Sequence, residues 1–100
     1  MVANDVDALI DKEIATYDAS TPAAVATLAA FKEARRRPKL VTVNFSGGIT
    51  SKCYAVTWTN GDYRVVYLPE AGYFSLCVES DLGPLDIGVH GSAIDCFGSV

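Results

Sequence analysis

Three side chains in the second half of the chain have types that could do covalent chemistry together. Cys77, Asp86 and His90 could form a thiolate–imidazole–carboxylate unit, because a nearby imidazolium lowers the pKa of a thiol and a carboxylate orients the ring. No sharp nucleophile turn or glycine-rich oxyanion loop stands beside Cys77, and a cysteine in mid-strand usually packs as a small apolar residue. We therefore predict no catalytic residue. A hydrolytic or small-molecule site that uses these three with Arg64 is the alternative.

The cysteine and histidine content predicts neither a metal nor a cofactor. The three cysteines, at positions 53, 77 and 96, and the one histidine lack the spacing of a zinc site. Nucleotide, dinucleotide, metalloprotease and calcium-loop motifs do not occur. An odd number of cysteines suits a reducing compartment, and the first residues lack the basic start and apolar run of a signal peptide. The expected location is the cytoplasm.

Length and composition indicate one folded unit. A chain of 100 residues, half of them apolar, has the usual size of one domain and can bury a single core. No stretch approaches the roughly 18 apolar residues of a membrane span, so no membrane association is expected. The formal net charge of −4 disfavours nucleic acid, because phosphate binding depends on lysine and arginine.

The N-terminal residues have the pattern of a helical hairpin. In residues 5–17 the apolar side chains fall on one stripe at helical spacing. Thr21 followed by Pro22 is typical of the start of a second helix. That helix should end near Arg37, because Pro38 disfavours helical geometry in the residue before it.

Charge is divided between the two helices. Residues 1–18 carry five acids and one lysine, whereas residues 32–39 carry five cations and one acid. Arg35, Arg36 and Arg37 would then brace the acidic first helix, stabilised also by the helix dipole. A docking patch for an acidic partner is the alternative. No aromatic residues interleave with the arginines, so a nucleic-acid surface is not supported.

Glu13 lies within the apolar stripe of the first helix. An unpaired carboxylate would be costly to bury there. We expect this side chain either to reach water or a cation such as Lys32, or to be a buried carboxylate that faces a pocket.

Turn signals divide residues 39–79 into four strands of an antiparallel meander. The signals are Gly47-Gly48, Asn60-Gly61 and residues 69–72, and Asn60-Gly61 is typical of a two-residue hairpin turn. Pairing about these turns places Tyr54 opposite Tyr67 and separates the side chains into two faces. The first face, the expected core, holds Val41, Val43, Phe45, Tyr54, Val56, Trp58, Tyr63, Val65, Tyr67, Phe74, Leu76 and Val78. The second face holds mostly small or polar residues: Thr42, Asn44, Ser51, Cys53, Ala55, Thr57, Arg64, Val66, Ser75 and Cys77.

The rest of the chain completes an α+β fold. A fifth strand is predicted from Leu85 to His90, and its alternation puts Asp86 and His90 on the second face. Ser92 followed by Asp95 is typical of the start of a short helix. The predicted fold of the single domain 1–100 is a helical hairpin (1–38) packed on one face of an antiparallel, meander-like sheet of about five strands with a short C-terminal helical turn (39–100).

The second sheet face, uncovered in this fold, is the predicted functional surface. The sequence predicts a small cytoplasmic protein–protein interaction or regulatory module without catalytic activity. Its partner would be another protein or a second copy, giving a homodimer. Besides the small-molecule or hydrolytic site, a small acidic inhibitor that imitates nucleic acid with the first helix is a third alternative. The predicted partner-binding residues are Arg64, Val66, Cys77, Asp86, His90, Arg35 and Arg36.

Overall fold

The computed structural model describes residues 2–58 and 62–100 and confirms the α+β class. Two N-terminal helices precede a five-stranded antiparallel meander and a short third helix. The helices are α1 (Ala3–Thr16), α2 (Pro22–Ala34) and α3 (Ala93–Phe97). The strands are β1 (Arg35–Asn44), β2 (Thr50–Thr57), β3 (Tyr63–Leu68), β4 (Tyr73–Ser80) and β5 (Gly83–Gly91). Within these described ranges, no helix combines the length and the apolar character needed to cross a bilayer.

Hydroxyl caps begin the second and third helices, as predicted. Thr21 Oγ1 accepts a hydrogen bond from the backbone N–H of Ala24 at 3.1 Å. Ser92 Oγ accepts one from the N–H of Asp95 at 3.2 Å. Each cap satisfies a backbone donor that the helix itself leaves unpaired.

The prediction that the second helix continues to Arg37 is wrong. It ends at Ala34, and Arg35 already has extended geometry, with φ −59° and ψ 136°. Pro38 biases the residue before it towards extended geometry. The three arginines therefore belong to the start of β1 rather than to a last helical turn.

The sheet closes on itself. Consecutive strands pair antiparallel, and the end of β1 also meets β5, where Asn44 pairs in parallel with Leu85. The side-chain amide of Asn44 adds a hydrogen bond to the carbonyl oxygen of Leu82 at 2.9 Å. Tyr54 lies opposite Tyr67, as predicted. The Asn60-Gly61 turn lies outside the described residues.

Closure gives the protein two apolar layers. The outer layer lies between the sheet and the helices, and its fully buried members include Val6, Ile10, Phe31, Val56, Leu76 and Ile94. The inner layer lies inside the closed sheet and consists of Val43, Cys53, Ala55, Val66, Leu68 and Cys77. The second sheet face is therefore mainly interior.

The face assigned to β1 from the sequence is also wrong. Leu40 pairs with Tyr54, and Val41 pairs with Cys53, so Val41 packs in the inner layer together with Val43 and Phe45. Changing the register of a strand by one residue exchanges its two faces. In a closed sheet, the apolar face of β1 can be buried either inside the sheet or under the helices. Apolar alternation alone therefore does not decide between the two.

Candidate functional site

The predicted Cys77, Asp86 and His90 group lies on the β4–β5 pair but does not form a nucleophile–base unit. Asp86 lies opposite Cys77, accepts a hydrogen bond from the hydroxyl of Ser75, and lies 3.4 Å from Nε2 of His90. The imidazole of His90 stacks on Tyr73 with 4.6 Å between ring centroids. Asp86 therefore lies between His90 and the other polar side chains. In a nucleophile–base unit, the imidazole of His90 would have to lie between Asp86 and Cys77.

The three cysteines are buried and free. Burial, helped by the charge of Asp86, raises the pKa of the Cys77 thiol to about 12. Burial raises the pKa of Cys53 and of Cys96 to about 11. A reactive cysteine needs the opposite shift, because the thiolate is the nucleophile. Across residues 2–58 and 62–100, no three histidine, cysteine, aspartate or glutamate side chains are placed to hold a metal ion.

The thiols should therefore resist alkylation and make the fold sensitive to alkali. In native protein at about pH 8, iodoacetamide should leave Cys77 unmodified, as shown by mass spectrometry. Above the ordinary thiol pKa of 9.0, the unfolded chain loses thiol protons that the folded chain retains. The contribution of the thiols to the free energy of unfolding is then constant below about pH 9 and falls towards pH 11 by up to ~1.4 kcal/mol per pH unit for each thiol.

A Cys77→Ala variant serves as the control for this pH dependence. Its free energy of unfolding, measured with urea, should fall less steeply above about pH 9 than that of the wild type. Rapid labelling of Cys77 in the folded protein would show instead an accessible thiolate.

Two of the arginines brace α1, as the charge pattern predicted. Arg35 bonds to the carboxylates of Asp11 at 2.8 Å and Asp7 at 3.3 Å. Arg37 bonds to Asp7 at 3.1 Å. Burial alone would lower the pKa of Arg35, but the hydrogen bonds that its guanidinium donates to Asp11 and Asp7 outweigh burial, and the pKa is raised. These pairs hold the start of β1 against the middle of α1.

The side chain of Arg36 lies on the side of β1 opposite to Arg35 and Arg37, because side chains alternate along an extended strand. Its guanidinium donates to the backbone carbonyl oxygens of Glu33 at 2.7 Å and Arg35 at 2.8 Å. The guanidinium carbon lies 5.1 Å from the centroid of the Trp58 ring, a cation–π distance. Among the described residues, no carboxylate forms an ion pair with Arg36.

The remaining predicted residues occupy two different environments. Arg64 is mostly buried, and its Nε lies 2.7 Å from Oε1 of Glu79. Val66 has no exposed surface and lies in the inner layer. Val66 and Cys77 thus contact no partner while the sheet stays closed, and Asp86, with 12% of its side chain exposed, offers little surface.

Glu13 has a position that the sequence did not indicate. Its two carboxylate oxygens accept hydrogen bonds from the backbone N–H groups of Ala93 at 2.9 Å and Ile94 at 3.2 Å. Glu13 therefore caps the start of α3, which is remote in sequence, rather than pairing with Lys32 or standing as a free carboxylate in a pocket. Hydrogen bonds to a charged acceptor are stronger than neutral ones.

Glu13→Gln should lower the free energy of unfolding by about 1 kcal/mol, and Glu13→Ala by about 2 kcal/mol, since backbone donors then lose their acceptors. Urea unfolding at neutral pH measures both. Glu33→Gln, a change at an exposed glutamate on α2, is the matched control and should stay within about 0.5 kcal/mol of the wild type. Equal effects at the two positions would mean that Glu13 does not stabilise α3.

An apolar cavity of about 110 Å³ lies beside Trp58 and is called the Trp58 pocket below. Its walls come from α2, β2, β3 and the residues around α3, and include Ala34, Trp58, Tyr63, Val65, Phe97 and Val100. The backbone N–H of Trp58 donates to the carbonyl oxygen of Ala34 at 3.1 Å. This bond joins the end of β2 to the end of α2, and the indole remains 58% exposed.

Trp58 is exposed at the surface, and the prediction that it lies in the core is wrong. Strand alternation predicted a position on the core face, but β2 ends at Thr57, and the backbone N–H of Trp58 bonds to α2. The usable signal is that Trp58 stands two residues before the predicted Asn60-Gly61 turn, where its strand is expected to end.

A wider groove continues from the Trp58 pocket along α2 and is called the α2 groove below. It has a volume of about 510 Å³ and is lined on one side by Ala26, Thr27 and Ala30. Tyr63, Phe97 and Val100 line both the groove and the pocket. The two depressions therefore form one continuous surface.

Comparison of the chain with protein-family models, with curated proteins and with solved structures gives no match.

Proposed function

We propose that this protein is a small interaction module without catalytic activity that binds a partner protein at the Trp58 pocket. The observation that carries the proposal is a largely exposed tryptophan beside an apolar cavity. Tryptophan, tyrosine and arginine are the side chains most enriched at the energetic centres of protein interfaces. Trp58, Tyr63, Arg36 and Arg64 supply all three types here.

The size of the cavity favours a protein side chain over a small molecule. Pockets for drug-sized ligands usually measure ~300–1,000 Å³, and an apolar cavity of ~150 Å³ can hold one benzene molecule. About 110 Å³ fits one aliphatic side chain, such as leucine, isoleucine or valine. This argues against a drug-sized small molecule held within the Trp58 pocket alone.

Charge indicates what should accompany that aliphatic side chain. Arg36 lies against Trp58 at the rim and has no carboxylate partner among the described residues. A partner that presents an acidic side chain beside its aliphatic one would match this surface.

An acidic inhibitor and a homodimer formed through the second sheet face have less support. Asp7 and Asp11 of α1 are already neutralised by Arg35 and Arg37, which weakens the idea that α1 imitates nucleic acid. Self-association through Val66 would need the closed sheet to open. We propose a cytoplasmic location, because an odd number of free cysteines suits a reducing compartment.

Selection from a random peptide library tests the proposed function. Peptides selected on the folded protein should share an aliphatic residue close to an acidic one. They should bind the wild type and fail to bind Trp58→Ala. Selection that yields no binder, or only peptides that bind both proteins equally, would contradict a binding site at the Trp58 pocket.

A further inference from the structure

We propose that Glu13 is a positioning residue for the Trp58 pocket, although its side chain does not line that pocket. Its carboxylate fixes the start of α3, and α3 supplies one wall of the pocket. The inference rests on the proposed function and adds a residue that controls the shape of the binding site from outside it. Three observations carry it: the hydrogen bonds of Glu13, the wall that α3 supplies, and the close contact between α3 and α2.

The carboxylate of Glu13 anchors α3 to a distant part of the chain. Its two oxygens accept hydrogen bonds from the N–H groups of Ala93 at 2.9 Å and Ile94 at 3.2 Å. α3 has only five residues, and a helix of this length is not stable by itself. The hydroxyl cap of Ser92 is local to α3, so it cannot fix the position of the helix relative to α1. The contact with Glu13 can.

The other end of α3 forms one wall of the Trp58 pocket. Phe97, the last residue of α3, and Val100 line both the pocket and the α2 groove. The ring of Phe97 packs edge-on against Phe31 of α2, with 5.6 Å between the ring centroids. Phe97 follows Ala93 by one helical turn, which places it about 6 Å further along the helix axis. A displacement at the start of α3 therefore also moves the wall of the pocket.

The contact between α3 and α2 leaves room for movement in one direction only. Gly98 directly follows α3, and a methyl group at this position would lie 3.2 Å from Cγ2 of Thr27 on α2. Because α3 cannot move closer to α2, a displacement carries Phe97 away from α2, whose Ala34 also lines the pocket. The pocket then widens and fits an aliphatic side chain less closely, and even a small gap loses van der Waals contacts.

Affinity for a library-selected peptide that needs Trp58 tests this inference. Glu13→Gln should weaken binding about fivefold and Glu13→Ala about 20-fold, as measured by isothermal titration calorimetry. The matched control is Val43→Ala, which removes buried apolar atoms from the inner layer, away from the pocket. It should lower the free energy of unfolding at least as much as Glu13→Gln does and leave the affinity within twofold. Because all three variants remain almost fully folded at 25 °C, a purely structural role would not change the affinity.

Methyl signals in the nuclear magnetic resonance spectrum give a second measurement that needs no partner. Leu76 and Val100 line the pocket together with Phe97, so the position of the aromatic ring affects the chemical shifts of their methyl groups. In the free protein, Glu13→Gln should move both sets of signals. Val43→Ala should leave the signals of Val100 unchanged.

The outcomes separate this inference from the proposed function. Unchanged methyl signals and affinity in Glu13→Gln would overturn the inference and leave the Trp58 pocket standing. Equal losses of affinity in Glu13→Gln and Val43→Ala would also overturn it, because general loosening of the fold would then explain both. Failure to select any peptide that needs Trp58 would contradict the proposed function, and the methyl signals would then decide alone whether Glu13 positions the wall.

Discussion

Replacing Val66 by lysine should unfold the protein at 25 °C. Val66 has no exposed surface and lies inside the closed sheet with Val43, Cys53 and Cys77. Burying an unpaired ammonium group, or neutralising it to avoid that burial, costs several kcal/mol. A domain of this size has a total stability of roughly 5–15 kcal/mol. Far-ultraviolet circular dichroism and urea titration measure the loss of structure.

The control for this change is Leu82→Lys, because Leu82 is 84% exposed. Its free energy of unfolding should stay within about 0.5 kcal/mol of the wild type. If Val66→Lys instead folds with an unchanged urea midpoint, the second face of the sheet is open to solvent. That result would support the functional surface predicted from the sequence.

Trp58→Ala should weaken binding of a selected peptide about 100-fold, which corresponds to ~2.7 kcal/mol. The change removes the largest apolar contact at the pocket and the ring against which Arg36 lies. Arg36→Ala should weaken binding about tenfold, because an acid on the peptide then loses its partner. Isothermal titration calorimetry measures both affinities.

Folding of these variants should be nearly unaffected. Trp58 is more than half exposed, and an exposed cation–π pair contributes only ~0.5–1 kcal/mol. Leu82→Ala, another exposed apolar truncation, should leave the affinity unchanged. A similar loss of binding in Leu82→Ala and Trp58→Ala would show that exposed apolar area, rather than the pocket, drives association.

Local patterns were enough to predict the class of fold. Helical periodicity, the Thr21 and Ser92 caps, and the opposition of Tyr54 to Tyr67 depend on residues close in sequence or joined by one hairpin. Closure of the sheet depends on Asn44 meeting Leu85, 41 residues further along the chain. No local signal encodes that contact, so a surface predicted to be open is interior.

The candidate site was harder to predict for the same reason. The ion pairs of Arg35 and Arg37 with α1 could be predicted from the opposite charges of residues 1–18 and 32–39. The different position of Arg36, against Trp58, could not, because it depends on the arginines lying in a strand rather than in a helix. Glu13 caps α3, 80 residues away, by accepting hydrogen bonds from backbone N–H groups. Every residue except proline has such a group, so the sequence pattern does not indicate which one is the donor. Trp58 does not lie in the core as predicted, because β2 ends one residue before it.

Fluorescence of Trp58 during titration with a selected peptide tests the central claim most directly, because Trp58 is the only tryptophan in the sequence. Its indole is now largely in water, and a partner side chain seated in the Trp58 pocket would remove much of that exposure. The account predicts a shift of the emission to shorter wavelength and protection from acrylamide quenching, both saturating at the affinity found by calorimetry. Binding detected by calorimetry with no change in Trp58 emission or quenching would contradict it.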